Sequence, residues 1–197
     1  MIPVTLASES RARGELLRAA GVTFASLTSG VDEALEKAGL LAARVSPAEV
    51  AAALADRKAV SVSRRTSGLV IGADQTLEVD GGLYDKTTTL EDTRRRLVQL
   101  RGRAHSLHAA VSLARDGQVL WRNLTTVTLT MRDFSEAFLD SYLARNGQAV
   151  ASSVGAYHLE GEGVQLFESI EGDYFAVLGL PLTPLLAALR AHHAMPS

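Results

Sequence analysis

Two apolar segments of this chain each run directly into polar residues, and these two junctions constrain the fold more than any other feature. Residues 2–7 form the first segment, which leads into two serines and an arginine. Residues 69–73 form the second, which leads straight into Asp74. Short, largely apolar runs bounded by polar residues are typical of buried strands. The junctions therefore predict strand ends that present polar side chains.

The first junction has the chemistry of an anion site. Ser8 and Ser10 carry hydroxyls and Arg13 carries a guanidinium. A helix predicted over residues 10–20 would add main-chain N–H groups at its start, where anions bind favourably. The second junction ends in the carboxylate of Asp74, which suits a metal ion or a general base.

Helices and strands alternate along the rest of the chain. Ser46 to Glu49 forms a capping box that opens a helix to about residue 62. Hairpin turns are predicted at residues 80–82 and 116–117. Further helices are predicted over residues 90–100, 135–144 and 181–189, with strands over 69–79, 104–114 and 119–131, an extended run over 24–31 and short strands over 154–179. This order predicts an α/β fold with a mixed sheet.

Composition limits the classes of partner. The 197 residues carry 20 basic and 22 acidic side chains, so no general field attracts nucleic acid. The chain has no cysteine, which excludes disulfides and thiol chemistry and fits a reducing compartment. Neither a signal peptide nor a membrane-spanning run is predicted. We expect one cytoplasmic domain over residues 1–197 that binds neither nucleic acid nor membrane.

The junctions and several later segments together resemble the Maf family of nucleoside triphosphate pyrophosphatases. The first junction matches the family signature Leu-Ala-Ser-x-Ser followed by arginine, and the second matches Ile-Gly-Ala-Asp. Further matches follow in family order at Lys58, Lys86, Gly102 with His105, and residues 155–163, 170–174 and 179–182. The resemblance implies a mixed elongated sheet with helices on both faces and two lobes around a central cleft. It also implies a homodimer.

The resemblance further implies hydrolysis of a nucleoside triphosphate between its α and β phosphates. Asp74 would be the catalytic carboxylate, and its role as general base or as metal ligand stays open. A divalent cation, Mg²⁺ or Mn²⁺, would be held by Asp74 and Glu33 without any histidine ligand. The implied substrate-binding residues are Ser8, Ser10, Arg13, Lys58 and Lys86. The alternative for the acids and lysines of this set is an ordinary turn or solvated surface residue.

Three positions that the family associates with substrate choice depart from its common pattern. Ala12 replaces the first arginine of a Pro-Arg-Arg segment, and Gln75 replaces the threonine after the aspartate. Glu160 replaces the glutamine of an Ile-Gln-Gly segment. Gln75 and Glu160 together resemble the branch of the family that acts on 7-methyl-GTP. Ala12, Gln75 and Glu160 are therefore the predicted specificity residues.

The change at Glu160 has a physical reason. An ionised glutamate only accepts hydrogen bonds, which suits the N1–H and N2–H₂ donors of guanine. Uracil and thymine present an acceptor beside an N–H and suit an amide instead. Methylation at N7 adds positive charge to the base, which a carboxylate further favours. The alternative is that Glu160 is a surface acid in a turn.

Two other functions stay open at this point. One is a pyrophosphatase that prefers dTTP or UTP, and the other is a catalytically weak nucleotide-sensing protein linked to cell-division control.

The match to the family is weakened at residues 152–155, where the family has Asp-Lys-Ala-Gly, and at Thr87, where it has proline. The run from Arg94 to Arg96 is expected on a solvated helix face. His105 is expected to be structural.

Overall fold

The computed structural model describes residues 1–196, apart from the side chains of Gln148 and Ser152. Within that part of the chain, the strands are β1 (Val4–Leu6), β2 (Ala25–Ser26), β3 (Leu69–Val79), β4 (Gly82–Tyr84), β5 (Ala104–Arg115), β6 (Gln118–Met131) and β7 (Phe167–Glu171). The helices are α1 (Arg11–Ala19), α2 (Glu33–Ala42), α3 (Pro47–Ser63), α4 (Leu90–Leu100), α5 (Glu136–Asn146), α6 (Tyr174–Val177) and α7 (Leu182–Ala191), with 3₁₀ segments at Gly147–Ser152 and Glu162–Leu166. None of these helices is long and apolar enough to cross a membrane.

The strands form one sheet in the order β2-β1-β3-β5-β6-β7, with β4 paired to β3. β1 runs parallel to β2 and β3, whereas β4 and β7 run antiparallel to their partners. The turns at Asp80-Gly81 and Asp116-Gly117 have positive φ at both positions, which is the backbone that two-residue hairpins favour. The predicted mixed α/β sheet is confirmed, and so are both hairpin turns.

Two compact units make up the chain, and each has its own buried residues. The first unit contains the residues up to Gln75, His108–Thr126 and the segment from Asp173. The second unit contains Thr76–Leu107 and Val127–Gly172. A single domain over residues 1–197 and a cleft between two lobes stay predictions.

The alternation of side chains along β3 organises the first unit. Leu69, Ile71 and Ala73 lie in the main apolar core with side chains from β1, α1 and α7. Because side chains alternate along a strand, residues 70, 72 and 74 take the opposite face. Val70 packs there with Val62 of α3. Helix α3 therefore covers the face of the strand that carries Asp74.

Helix α3 begins at a capping box, as the sequence predicts. The hydroxyl of Ser46 accepts a hydrogen bond from the Glu49 main-chain nitrogen at 3.4 Å, and the Glu49 carboxylate accepts one from the Ser46 nitrogen at 3.1 Å. Pro47 occupies the first turn, where its missing N–H has no partner to lose. The cap fixes where the helix starts and therefore which of its residues face β3.

Gly72 allows α3 to lie directly against β3. A Cβ atom at this position would lie 2.2 Å from the carbonyl oxygen of Ala55 and 2.6 Å from the nitrogen of Ala59. Both are main-chain atoms of α3, so the approach is possible only because glycine has no side chain. Lys58 lies beside Ala59 on the helix, and Asp74 lies two residues beyond Gly72 on the strand. The close approach therefore brings these two side chains together.

Helix α2 was not predicted from the sequence. Asp32 caps the helix through a hydrogen bond of 3.0 Å from the nitrogen of Leu35, and Glu33 is its first residue. The helix buries none of its residues and leaves Leu35 70% exposed. Leu35, Ala38 and Ala42 nevertheless recur at helical spacing, so an apolar pattern was present in the sequence. The capping aspartate was a second available signal.

The prediction of short strands over residues 154–179 is wrong except at β7. Ala156 has a φ of 60° and Tyr157 folds back onto Ser153, whose hydroxyl accepts a hydrogen bond from the Tyr157 nitrogen at 3.0 Å. A Cβ atom at Gly163 would lie 2.4 Å from the carbonyl oxygen of His158. These contacts make residues 153–163 a tight coil, which we call the glycine coil, because the backbone bonds locally rather than to a neighbouring strand.

His105 of β5 lies in a buried aromatic cluster of the second unit. Its Nε2 and the hydroxyl of Tyr157 share a hydrogen bond of 2.7 Å, and the rings of Tyr157 and Phe167 meet edge-on at 4.8 Å between centroids. His105 Nδ1 is buried without a hydrogen-bond partner among the residues described. Burial lowers the pKa of His105 to about 4 and raises the pKa of Tyr157. His105 therefore stays neutral in the folded protein near pH 7.

Substitution of Gly72 by alanine should destabilise the first unit. The added methyl group meets main-chain atoms of α3, which cannot rotate away, so the helix must move off the strand. We expect Gly72→Ala to lower the free energy of unfolding, measured in urea, by about 2 kcal/mol or more. Gly39→Ala is the matched control, because nothing lies within 4 Å of a Cβ there. That change should be stabilising by about 0.5–1 kcal/mol. Equal effects of the two changes would contradict the packing described.

The buried imidazole of His105 should make the folded state less stable in acid. Its pKa is about 4 in the folded protein against 6.5 in an unperturbed histidine, so the unfolded chain binds a proton more readily. The stabilisation is fully present above pH 6.5 and falls toward pH 4, by about 3 kcal/mol. We expect the free energy of unfolding of His105→Phe to depend less on pH over this range than that of wild type. Parallel curves for the two proteins would refute the assignment.

Candidate functional site

Lys58 of α3 joins the two predicted carboxylates in the first unit. Its Nζ lies 2.6 Å from Oδ1 of Asp74 and 2.9 Å from Oε1 of Glu33. The side chains of Lys58 and Asp74 are 6% and 10% exposed, whereas that of Glu33 is 50% exposed. The helix α3 supplies Lys58 and the first turn of α2 supplies Glu33, whereas Asp74 lies in the middle of β3, so the prediction of a strand end at this junction is wrong. The structure therefore brings together two acids and one base that lie far apart in the sequence.

This group is arranged to hold the Asp74 carboxylate in one place. A buried charge is stable only when it is paired and hydrogen-bonded, and Lys58 pairs with a buried carboxylate on one side and a half-exposed one on the other. Glu33 is the partner that a ligand can reach, because half of its side chain meets solvent. The group can thus exchange one carboxylate contact of Lys58 for a phosphate oxygen while Asp74 stays fixed.

Arg13 of α1 is buried beside these carboxylates. Its Nε donates to the carbonyl oxygen of Gly179 at 2.8 Å, and its Nη1 donates to Ala73 O at 3.0 Å and to Ser8 Oγ at 3.1 Å. Burial lowers the pKa of Arg13, and the negative charge of Asp74, together with a smaller effect of Glu33, opposes that shift. Arg13 therefore ties three chain segments together in addition to any contact with a ligand.

Ser8 and Ser10 lie at the start of α1, as predicted. Ser10 caps the helix by accepting a hydrogen bond from the nitrogen of Arg13 at 3.4 Å, and Ser8 Oγ accepts one from the Ser10 nitrogen at 3.2 Å. Ala12 is half-buried in the first turn of the same helix. The positive end of the helix dipole and these hydroxyls make the position suitable for an anion.

Gln75, a predicted specificity residue, is turned into the protein. Its Nε2 donates to the carbonyl oxygens of Ala176 and Val177 at 2.8 and 3.1 Å. A Cβ atom at Gly179 would lie 3.7 Å from Gln75 Oε1 and 3.5 Å from Arg13 Nε. Gln75 and Arg13 thus hold the same segment after β7, residues 176–179. An effect of Gln75 on substrate choice would act through this segment.

Lys86 and Glu160 lie in the second unit, and both side chains are exposed. Glu160 lies in a turn of the glycine coil, directly after the buried Leu159. Lys86 lines a cavity of about 330 Å³ together with Tyr84, Thr87, Thr88, Asp92, Arg95, Arg96 and Gln99. The surroundings of this cavity are polar and largely cationic, which suits an anionic ligand.

Arg96 departs from the expected solvated helix face, and sequence analysis missed its role. Its Nη1 donates to the carbonyl oxygens of Asp85 and Val154 at 2.9 and 2.8 Å. Burial lowers the pKa of its guanidinium. Arg94 behaves as expected of a surface residue, because it pairs with the exposed carboxylates of Glu136 and Asp140. No periodic pattern distinguishes the two arginines, because both lie in a run of three.

The carboxylates of Asp74 and Glu33 are oxygen donors of the kind that a hard divalent cation takes. Both contact the ammonium of Lys58, which occupies the point where their oxygens converge, so a cation held by both would bind beside the ammonium or displace it. No group of three or more His, Cys, Asp or Glu side chains that would hold a metal ion occurs in residues 1–196 with described side chains. Mg²⁺ is commonly held by one or two carboxylates together with phosphate oxygens and water, so two suffice.

A second cavity, of about 610 Å³, contains none of the predicted site residues. It lies in the first unit at the end of α3 and beside the β5–β6 turn. Its lining consists of Ser63, Arg64, Arg65, Thr66, Ser67 and Asp116. The candidate catalytic and binding residues therefore do not line this larger cavity.

Comparison with known proteins identifies the family of this chain. The Maf-like protein family matches residues 3–192. A nucleoside triphosphate pyrophosphatase of Caulobacter vibrioides is 55% identical over 195 residues, which cover 99% of this chain and 98% of that protein. A 7-methyl-GTP pyrophosphatase of Rhizobium meliloti is 47% identical over 186 residues, 94% of each chain. Another from Brucella abortus is 45% identical over 190 residues, 96% of each chain. Matches of this extent establish that the chain belongs to the Maf family.

Proposed function

We propose that this protein hydrolyses the bond between the α and β phosphates of nucleoside triphosphates, releases a monophosphate and pyrophosphate, and prefers 7-methyl-GTP. The broad class follows from relatives that are 45–55% identical over nearly their whole length. The protein is thus a nucleoside triphosphate pyrophosphatase, a hydrolase. Its preference for 7-methyl-GTP, its site residues and its cation belong to the proposal.

The observation that carries the mechanism is the ammonium of Lys58 between Asp74 and Glu33. Phosphoryl transfer depends mainly on positioning and on cations that neutralise the phosphate oxygens. Asp74 would accept the proton of the attacking water or hold a cation, and Lys58 would neutralise an oxygen of the α phosphate. A carboxylate next to a lysine on rigid elements provides both functions in one place.

A divalent cation would be held by Asp74 and Glu33 and would withdraw charge from the phosphate oxygens during attack. The chain's own residues would do the rest. The phosphates would be bound by Ser8, Ser10 and the N–H groups that begin α1. Lys86 would add a positively charged side chain. Arg13 would keep these elements in register through its bonds to Ala73 and Gly179.

Selection of a methylated guanine would depend on Glu160. Its carboxylate accepts hydrogen bonds only, so it matches the donors on the pairing edge of guanine. Its exposed position at the tip of a tight coil leaves it accessible to a base. The relatives from Rhizobium meliloti and Brucella abortus, which are named 7-methyl-GTP pyrophosphatases, support this choice, whereas the Caulobacter protein carries the broader name. A homodimer remains a prediction from the family resemblance.

Replacement of Asp74 by asparagine should abolish turnover. The amide can neither accept a proton nor bind a cation strongly, so kcat for pyrophosphate release with Mg²⁺ should fall by about 100-fold or more. Wild type and variant would be assayed with 7-methyl-GTP, GTP, dTTP, UTP and CTP. Asp116→Asn, in the β5–β6 turn, is the matched control and should keep wild-type rates.

The outcome of this panel separates the functions considered. Wild-type turnover led by 7-methyl-GTP supports the whole proposal. Turnover led by dTTP or UTP would agree with pyrophosphatase activity and would refute the proposed preference for a guanine nucleotide. Binding of nucleotide without turnover would favour a sensing protein and refute the proposed activity.

The substitution Glu160→Gln should change the order of substrates rather than abolish activity. An amide presents both a donor and an acceptor, so it pairs less well with guanine and better with uracil or thymine. We expect the ratio of kcat/KM for 7-methyl-GTP to that for UTP to fall by about tenfold or more. Glu168→Gln, on the exposed face of β7, serves as the control. An unchanged ratio in Glu160→Gln would show that Glu160 does not read the base.

A further inference from the structure

We propose that Arg96 is a positioning residue that fixes the backbone of the two segments of the second unit that carry Lys86 and Glu160. The inference rests on the proposed function, because it assigns those two residues to the phosphates and to the base. Arg96 itself touches neither the substrate nor the reacting atoms. Its guanidinium acts on the main chain next to the residues that do.

The contacts of Arg96 reach two segments that are distant in sequence. Nη1 donates to the carbonyl oxygen of Asp85, the residue directly before Lys86, at 2.9 Å. The same nitrogen donates to the carbonyl oxygen of Val154, at the start of the glycine coil, at 2.8 Å. The guanidinium also lies over the ring of Tyr84, 4.6 Å from its centroid. One side chain of α4 therefore joins β4, the Lys86 segment and the coil.

A second contact holds the Lys86 segment from its other side. The hydroxyl of Thr87 donates to the carbonyl oxygen of Ala151 at 3.3 Å and lies 2.9 Å from the hydroxyl of Thr93 on α4. Lys86 thus lies between Asp85, which is joined to the coil through Arg96, and Thr87, which is hydrogen-bonded directly to the chain that leads into the coil. This pairing orders the backbone of Lys86, although its side chain is exposed. Proline at position 87 would have no hydroxyl to make this contact.

The coil transmits the position of Val154 to Glu160. The hydroxyl of Ser153 accepts a hydrogen bond from the nitrogen of Tyr157 at 3.0 Å, and the ring of Tyr157 leaves no room for a Cβ at Gly155, which would lie 2.2 Å from it. The nitrogen of Gly161 donates to the carbonyl oxygen of His158 at 3.3 Å. Each contact restricts the next turn of the coil. Movement of Val154 would therefore displace the turn that carries Glu160.

An apolar residue would fill the same space at less cost, which argues against a role in packing alone. Arg96 Nε is buried without a hydrogen-bond partner among the residues described, and burial of an unpaired donor is destabilising. Arginine suits the position because its planar fork can meet two carbonyl oxygens and stack on an aromatic ring at once. Lysine keeps the charge and lacks that geometry.

The test compares Arg96→Lys and Arg96→Met with wild type. Arg94→Lys is the matched control, because Arg94 lies two residues earlier in α4 and pairs only with exposed acids of α5 among its described ion pairs. Two measurements are made on each full-length protein. The first is KM and kcat for 7-methyl-GTP and UTP. The second is amide hydrogen exchange of residues 82–88 and 153–161 in the absence of nucleotide, which does not require activity. Exchange of α5 and of residues 127–131 of β6, which belong to the same unit as Arg96, reports whether that unit remains folded in each variant.

We expect both Arg96 variants to raise KM for 7-methyl-GTP about tenfold while kcat changes by less than about threefold, because loss of ordered binding groups weakens substrate and transition state alike. Exchange of both segments should become about tenfold faster, with α5 and residues 127–131 of β6 unchanged. Arg94→Lys should alter neither quantity. A role limited to stability would lower the folded fraction and leave KM and the substrate ratio as in wild type, which would overturn the inference.

Failure of the proposed function is distinguishable from failure of this inference. Wild type that turns over no nucleotide would refute the function, and hydrogen exchange would still decide whether Arg96 orders the two segments. Active wild type with unchanged KM and exchange in Arg96→Lys and Arg96→Met would refute the positioning role alone.

Discussion

The buried ion pair between Lys58 and Asp74 is the interaction on which the rest of the candidate site depends. Neither charge would be stable alone at 6% and 10% exposure, because an unpaired interior charge is strongly destabilising. Their separation of 2.6 Å is possible because Gly72 lets the backbone of α3 lie against β3. A shift of the helix by even the width of a methyl group would separate the pair. Glu33 then adds a carboxylate that solvent and a ligand can reach.

Two arginines use the same chemistry in the two units. Arg13 donates to the carbonyl oxygens of Ala73 and Gly179 in the first unit, and Arg96 donates to those of Asp85 and Val154 in the second. In both cases a guanidinium donates to the carbonyl oxygen directly before a candidate site residue, Ala73 before Asp74 and Asp85 before Lys86. Main-chain carbonyl oxygens are fixed acceptors, so such bonds order a loop without occupying its functional side chains.

The sequence predicted the parts of the fold that local chemistry determines. The capping box at Ser46 and the turn at Asp116-Gly117 were found because capping and positive φ demand particular residues. Helix α2 buries no side chain, yet its cap at Asp32 and the helical spacing of Leu35, Ala38 and Ala42 are visible in the sequence, so this helix was predictable and was missed. The roles of Gln75 and Arg96 were beyond prediction because each depends on carbonyl oxygens brought near by tertiary folding. The family resemblance named the carboxylates, yet only the structure placed Lys58 between them.

The most direct measurement of the central claim is a double-mutant cycle on this ion pair, with Lys58→Met, Asp74→Asn and the double variant compared in free energy of unfolding. A buried pair predicts that each single change is destabilising by about 3 kcal/mol or more, since it leaves the partner charge unpaired or poorly paired. The double variant should recover part of that loss, which gives a coupling energy of about 2 kcal/mol. Strictly additive effects would contradict the account, because they would mean that the two side chains do not hold each other in place.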